Sequence, residues 1–355
     1  MYIFRNRSHS LAWIALGFIC SLGSNAFGAN ANHVTVKTIL TGLKNPRGVA
    51  VRPDGSGEAY EVFVAESGAG RVVKISGDKP EKPIDVIAGI ASKPAIDDNS
   101  ASIGIQSICF LDHMRLVVAG GEDGAPFARL YELPEPASPL SSDQHKAEAN
   151  MPETGKEPGF DPHIFRSIAR TQPNDRVGDY LLIAAPTDHE TAGLVYIPVR
   201  SGTLGDAVPA RLKNTGNELQ IDGIAVGNNG YVVVASISPA DSGQSSKLAF
   251  FSPLDRRIVM QIPTELPRIV ALAYSPKSGN LYAANSLSAD DRSAGIYRID
   301  ASGKPNAPSC AVVKVADVRR PTALSFAPDG ALYVTSIGDS KSYEAGVLLK
   351  LAGDL

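Results

Sequence analysis

RPTALSFAPDGALYVTS, residues 320–336, is the stretch on which the fold turns. A short apolar run (323–326) leads into Asp329-Gly330, a pair that tolerates the positive φ of a tight hairpin turn, and a second apolar run (332–336) ends on small residues. The second run has counterparts in VFVAE (62–66), LVVAG (116–120), LLIAA (181–185), VVVAS (232–236) and LYAAN (281–285). Each is aliphatic or aromatic and then turns small or polar, as a strand buried on both faces does. The run before the turn recurs as GVAVRPDG (48–55), SICFLDHM (107–114), GIAVGNNG (223–230) and ALAYSPKSGN (271–280). A third strand follows each pair: GRVVKI (70–75), ARLYEL (128–133), GLVYIPV (193–199), KLAFFS (247–252), GIYRID (295–300) and GVLLKL (346–351). Weaker fourth strands are read in IDVIAG (84–89) and RIVMQI (257–262).

Six copies of a four-stranded antiparallel unit, with no amphipathic helix between them, predict an all-β, six-bladed propeller. The residues leading into the inner strands are Arg47, Gln106, Arg166 or Ser167, Asp222, Val270 and Thr322. The third copy fits worst, because IFRSIARTQPN (164–174) lacks clean alternation. The sixth copy stops after its third strand, while a lone strand, HVTVKTIL (33–40), precedes the first. The N-terminal strand is therefore expected to complete the last blade and remove an exposed edge. Residues 134–159, rich in Pro, Ser, Glu and Lys, read as a surface insertion within one domain, residues 32–355.

Residues 1–31 read as a signal peptide. Arg5 and Arg7 precede the apolar run 11–22, which is shorter than a membrane-spanning helix, and small residues suited to cleavage follow between Ala26 and Asn32. Cys20 lies in a poor lipidation context, so an exported protein, periplasmic or extracellular, is expected, with no membrane span after cleavage. A net charge of -3 and a pI near 6.1 offer no basic surface for nucleic acid. Cys109 and Cys310 are too few for a disulfide-built scaffold and, on an inner strand and an outer region of different copies, are not expected to bond to each other. A hydrophobic content of 43% is enough for a self-supporting core, and a monomer is expected.

NPRGVAVRPDG (45–55) and RPTALSFAPDGALYVTSIGD (320–339) resemble the NHL and gluconolactonase or regucalcin group of six-bladed propellers, and also the soluble sugar dehydrogenase propellers. That resemblance implies a site on the face where the lead-ins to the inner strands meet the loops between second and third strands. The candidate residues there are Arg47, Glu66, Gln106, Arg166, Asp188, Asp222, Arg268, Asn285, Arg320 and Asp339. Such a polar mouth suits a protein, a glycan or a small-molecule ligand, and its carboxylates suit a divalent cation such as calcium. Arg47 and Glu66 are expected to form an ordinary ion pair between adjacent strands. A lactonase of the regucalcin type implies a Glu, an Asn and an Asp on the metal; Asp222 matches the last, whereas Arg47 stands where the Glu belongs. A dehydrogenase implies a histidine base, for which only His163 and His189 approach the mouth. The sequence thus reads as a binding platform rather than an enzyme. Asp222 is the leading candidate, and its replacement by Ala is expected to spare folding.

Overall fold

The Asp-Gly, Asn-Gly and Gly-Asn punctuation does what its chemistry requires. Gly230 and Gly330 take positive φ in the turns between first and second strands, and each apolar run on either side becomes a strand. The computed structural model describes residues 34–53, 60–76, 82–92, 104–134, 138–151, 162, 164–171, 177–185, 193–210, 212, 220–237, 245–286, 292–304, 307–338 and 345–355. The segment read as a signal peptide lies outside them.

The strands form six sheets. After β1 (Thr35–Leu43), the first blade runs β2 (Pro46–Pro53), β3 (Tyr60–Glu66), β4 (Arg71–Ile75) and β5 (Ile84–Ala88). The second comprises β6 (Gly104–Phe110), β7 (Arg115–Glu122) and β8 (Ala125–Glu132). Within the 134–159 segment, β9 (Leu140–Ser141) adds in parallel to β5, and β10 (Ala147–Glu148) gives the second blade its fourth strand. The third has β11 (Ile168–Arg170), β12 (Tyr180–Ala184) and β13 (Leu194–Arg200), flanked by β14 (Thr203–Leu204) and β15 (Val208–Ala210). The fourth holds β16 (Gln220–Val226), β17 (Val232–Ile237), β18 (Lys247–Phe251) and β19 (Ile258–Pro263). The fifth holds β20 (Ile269–Tyr274), β21 (Leu281–Asn285), β22 (Gly295–Lys304) and β23 (Ala307–Ala316). The sixth orders β24 (Pro321–Phe326), β25 (Leu332–Ser336) and β26 (Gly346–Ala352), and β1 closes it. Thr35 pairs with Ala352 and Leu43 with Gly346, so the ring is clasped as the strand order predicts.

Each middle strand buries both faces, and alternate residues serve opposite neighbours. Phe63 and Ala65 of β3 pack with Ile108, Leu116 and Val118 of the second blade, whereas Val62 and Val64 pack with Tyr333 and Leu348 of the sixth. Every gap between adjacent blades holds one such cluster, six in all among the described residues. Burial falls toward the rim, where β1 is mostly exposed and β19 and β23 alternate more and less exposed residues. Burying one Leu or Val in these clusters contributes about 1.5–3 kcal/mol. Cys109 on β6 and Cys310 on β23 carry free thiols, and burial pushes the Cys109 thiol up to about 11.

Candidate functional site

The inner strands do not pair evenly with their middle strands. Register shifts leave one extra residue at Arg47, Gln106, Asp222, Val270 and Thr322. In the third blade the Arg166 N–H donates to the Ala184 carbonyl (2.9 Å) while the Ala184 N–H donates to the Ser167 carbonyl (2.8 Å), so two successive residues again oppose one. The six lead-in residues read from the sequence are therefore six β-bulges, and a bulge bends the strand and re-aims its side chain.

A second signal in the six copies went unread. Gly48, Ser107, Ser167, Gly223, Ala271 and Ala323 follow the bulges, and all are small. A Cβ on Gly48 would lie 3.1 Å from the Ser107 Cα, and one on Gly223 would lie 3.3 Å from the Ala271 Cα. Neighbouring inner strands thus approach almost backbone to backbone, with their bulges at one level. Thr322 Oγ1 donates to the Pro46 carbonyl at 2.8 Å, tying the last bulge to the first across the closed ring.

Three consecutive blades meet at Asp222. Its carboxylate is 3% exposed; Arg166 Nη1 of the third blade reaches Oδ1 at 2.5 Å, and Arg268 Nη2 of the fifth reaches Oδ2 at 3.3 Å. Burial alone would raise this carboxyl, but the two guanidiniums outweigh it and hold the group below its ordinary range. The Arg268 Nε is buried without an acceptor among the described residues. Removing Asp222 would leave Arg166 and Arg268 facing each other, so from this geometry Asp222→Ala is predicted to cost stability.

Glu66 and Asn285 serve the backbone. Glu66, fully buried, accepts from the Lys44 N–H (2.6 Å) and from Arg71 Nε (2.6 Å), so its cation is Arg71 on the neighbouring strand β4 rather than Arg47. Arg71 continues to Asp85 at 2.9 Å, and Arg47 Nε donates to Asn45 Oδ1 at 3.0 Å. Asn285 Oδ1 accepts from the Arg268 N–H at 2.9 Å, while its Nδ2 donates to the Ser293 carbonyl at 2.8 Å. Ser336 Oγ donates to the Arg319 carbonyl at 2.5 Å. Three middle strands thus end in a side chain that grips the segment leading into their own inner strand. Gln106 is half-buried on its bulge, and Arg320 sits at a φ of 44°. Asp188 and Asp339 lie outside the described residues, as do His163 and His189.

The structure brings Arg166, Asp222 and Arg268 into one cluster and gives Glu66 and Asn285 backbone partners. Among the described residues no group of three acidic, histidine or cysteine side chains is placed to hold a metal ion. Of the described histidines, His113 lies in the turn after β6, its carbonyl accepting from Arg52 Nη1 at 2.9 Å, and His145 lies beside Tyr131 and Glu148. Neither stands near Asp222. The chemistry the cluster supports is recognition of an anion by preorganised guanidiniums.

No family model matches the chain, and no curated protein matches it. Solved structures do. A PQQ-bound aldose sugar dehydrogenase from Streptomyces coelicolor superposes with a TM-score of 0.60 at 14% identity, over 90% of this chain and 98% of that one. The soluble aldose sugar dehydrogenase from Escherichia coli gives 0.56 at 14% identity, over 90% of this chain and all (100%) of that one. A gluconolactonase from Xanthomonas campestris gives 0.53 at 10% identity, over 90% of each. At such identities the likeness is one of fold: this chain is a six-bladed β-propeller whose structural neighbours include gluconolactonase and soluble aldose sugar dehydrogenase propellers.

Proposed function

We propose that this chain is an exported propeller that uses the mouth of its channel as a binding platform for a protein, a glycan or a small molecule. The observation that carries the reading is the Arg166–Asp222–Arg268 cluster, in which three blades converge charged side chains beside the ring of bulges. Export rests on the basic start and short apolar run of residues 1–31. No helix among the described residues is long and apolar enough to cross a membrane.

Thermal-shift screening of the purified mature protein against oligosaccharides, peptides and organic acids tests the reading. Hits of any chemical class should vanish in Val270→Trp, which puts a bulky ring on the bulge beside that of Asp222 while leaving Arg166, Asp222 and Arg268 themselves unchanged. Hits indifferent to that substitution would move the site elsewhere, to residues 134–159 first. An enzymatic reading has one observation in its favour, since paired arginines suit an acidic quinone such as the cofactor of the Streptomyces neighbour. The described residues place no histidine base and no metal-binding group beside them, so no catalytic step follows. Stoichiometric calcium or quinone in the purified protein, read by elemental analysis and absorbance, would replace the platform with an enzyme. N-terminal sequencing of exported protein should find a start between Phe27 and Asn32, and an intact Met1 in a membrane fraction would remove the export claim.

A further inference from the structure

We infer that the ligand engaged at the mouth carries a carboxylate, and that this group completes a charge box with Arg166, Asp222 and Arg268; the inference rests on the binding reading above. Two guanidiniums from different blades converge on a single buried carboxylate, so among the described residues the cluster carries one surplus positive charge. A charge withdrawn from water is stable when it is paired and hydrogen-bonded, and among the described residues the Arg268 side chain shares its one partner, Asp222, with Arg166.

Arginines elsewhere on the inner strands show what a purely structural arginine does in this fold. Arg52 commits Nε and Nη2 to Glu61 and Nη1 to the His113 carbonyl. Arg170 commits Nε and Nη2 to Asp179 and Nη1 to the Leu111 carbonyl. Both close a fork on their own blade's carboxylate and reach across to a carbonyl of the second blade, leaving no nitrogen idle. Arg268 behaves differently, because only its Nη2 meets Asp222, at 3.3 Å, while its Nε is buried with no acceptor among the described residues. Its backbone is nevertheless fixed, since the Asn285 amide holds both the Arg268 N–H and Ser293. The result is a held guanidinium with donors to spare, a preorganised half-site. A planar carboxylate matches the guanidinium fork, and its single charge equals the surplus.

Succinate, citrate and benzoate are the probes, with succinamide, glucose and inorganic phosphate as comparators, titrated calorimetrically into the whole mature protein. At least one of the three acids should bind, with an affinity that falls as salt is raised. Binding should weaken at least tenfold in Arg268→Gln and in Arg166→Gln, and should be unchanged in Arg298→Gln, whose arginine pairs with Asp300 on the third strand of its blade. Arg268→Lys keeps the charge but not the fork, and should weaken binding while retaining the wild-type melting temperature; it guards against loss of fold in the Gln variants. Three results would overturn the inference: no acid of the three binds, succinamide or phosphate binds as tightly as succinate, or Arg268→Gln binds like wild type. The binding reading fails separately. A neutral glycan lost in Val270→Trp but not in Arg268→Gln keeps the mouth and discards the carboxylate, whereas acid binding that survives Val270→Trp discards both.

Discussion

Arg320 holds a φ of 44°, a left-handed conformation that a side chain with a Cβ adopts at a cost of about 1–2 kcal/mol. Asn45, two residues before its own bulge as Arg320 is before Thr322, takes the same conformation at a φ of 48°, and Asn tolerates it better. Arg320→Asn should therefore raise stability by about 0.5–1 kcal/mol, read from denaturant unfolding. Asp222 makes the opposite case. Removing one partner of a buried ionic cluster costs about 3–5 kcal/mol, and Asp222→Ala should approach the lower figure because both arginines keep some solvent. A melting temperature equal to wild type would show that the cluster is solvated and energetically idle. Little of this could be read from sequence, since Arg166 and Arg268 lie 56 and 46 residues from the carboxylate they share. The position of Asp222 was legible because it repeats six times; its partners were not, because they belong to other repeats.

At the scale of elements, the period of the apolar runs carried most of the information. Strands, tight turns and the closing role of β1 follow from alternation and from Asp-Gly and Asn-Gly pairs, which act over a few residues. The third blade was obscure for a physical reason: its inner strand β11 is only three residues long, the Phe165 N–H bonds to Gly120 of the second blade, and Arg166 meets β12 only through its bulge. The outer strands β9 and β10 were obscure because two residues cannot display a period. The clasp between β1 and β26 is reinforced at the seam with the first blade. Tyr60 Oη donates to Asp329 at 2.9 Å and meets the Tyr333 hydroxyl at 3.2 Å, while Lys350 Nζ donates to Tyr60 Oη at 3.0 Å. Deleting residues 34–43 should cost several kcal/mol, roughly the sum of the buried side chains and ladder bonds it removes. Thermal unfolding with and without the segment measures it; equal midpoints would mean that β1 does not clasp the ring in solution.

At the scale of the molecule, the titrating groups bound a window of pH. Asp222, Asp112, Asp329 and Glu61 are held below their ordinary values despite burial that works the other way, by arginine, lysine and hydrogen-bond partners. Their contribution is present above the ordinary carboxylate range near pH 4 and is lost as pH falls through the depressed values. Burial pushes the Tyr131 and Tyr274 hydroxyls up to about 12, and raises those of Tyr60, Tyr196, Tyr282 and Tyr333 as well. Tyrosine stability is complete below the unfolded value near 10 and is lost as pH rises through the folded values. Cys109, raised in the same way, begins to add to that loss above its unfolded value near 9, so melting temperature against pH should show a plateau from about 5 to about 9 with a fall on each side. In Asp222→Asn the acid limb should flatten while the alkaline limb stays in place.

The clasp also sets an order in time. β1 is made long before β26, and its pairing Thr35 to Ala352 spans nearly the whole ring, so its hydrogen-bonding edge has no partner until the last blade has been synthesised. Contacts of such separation form slowly, because the chain entropy lost in closing the loop comes before any reward.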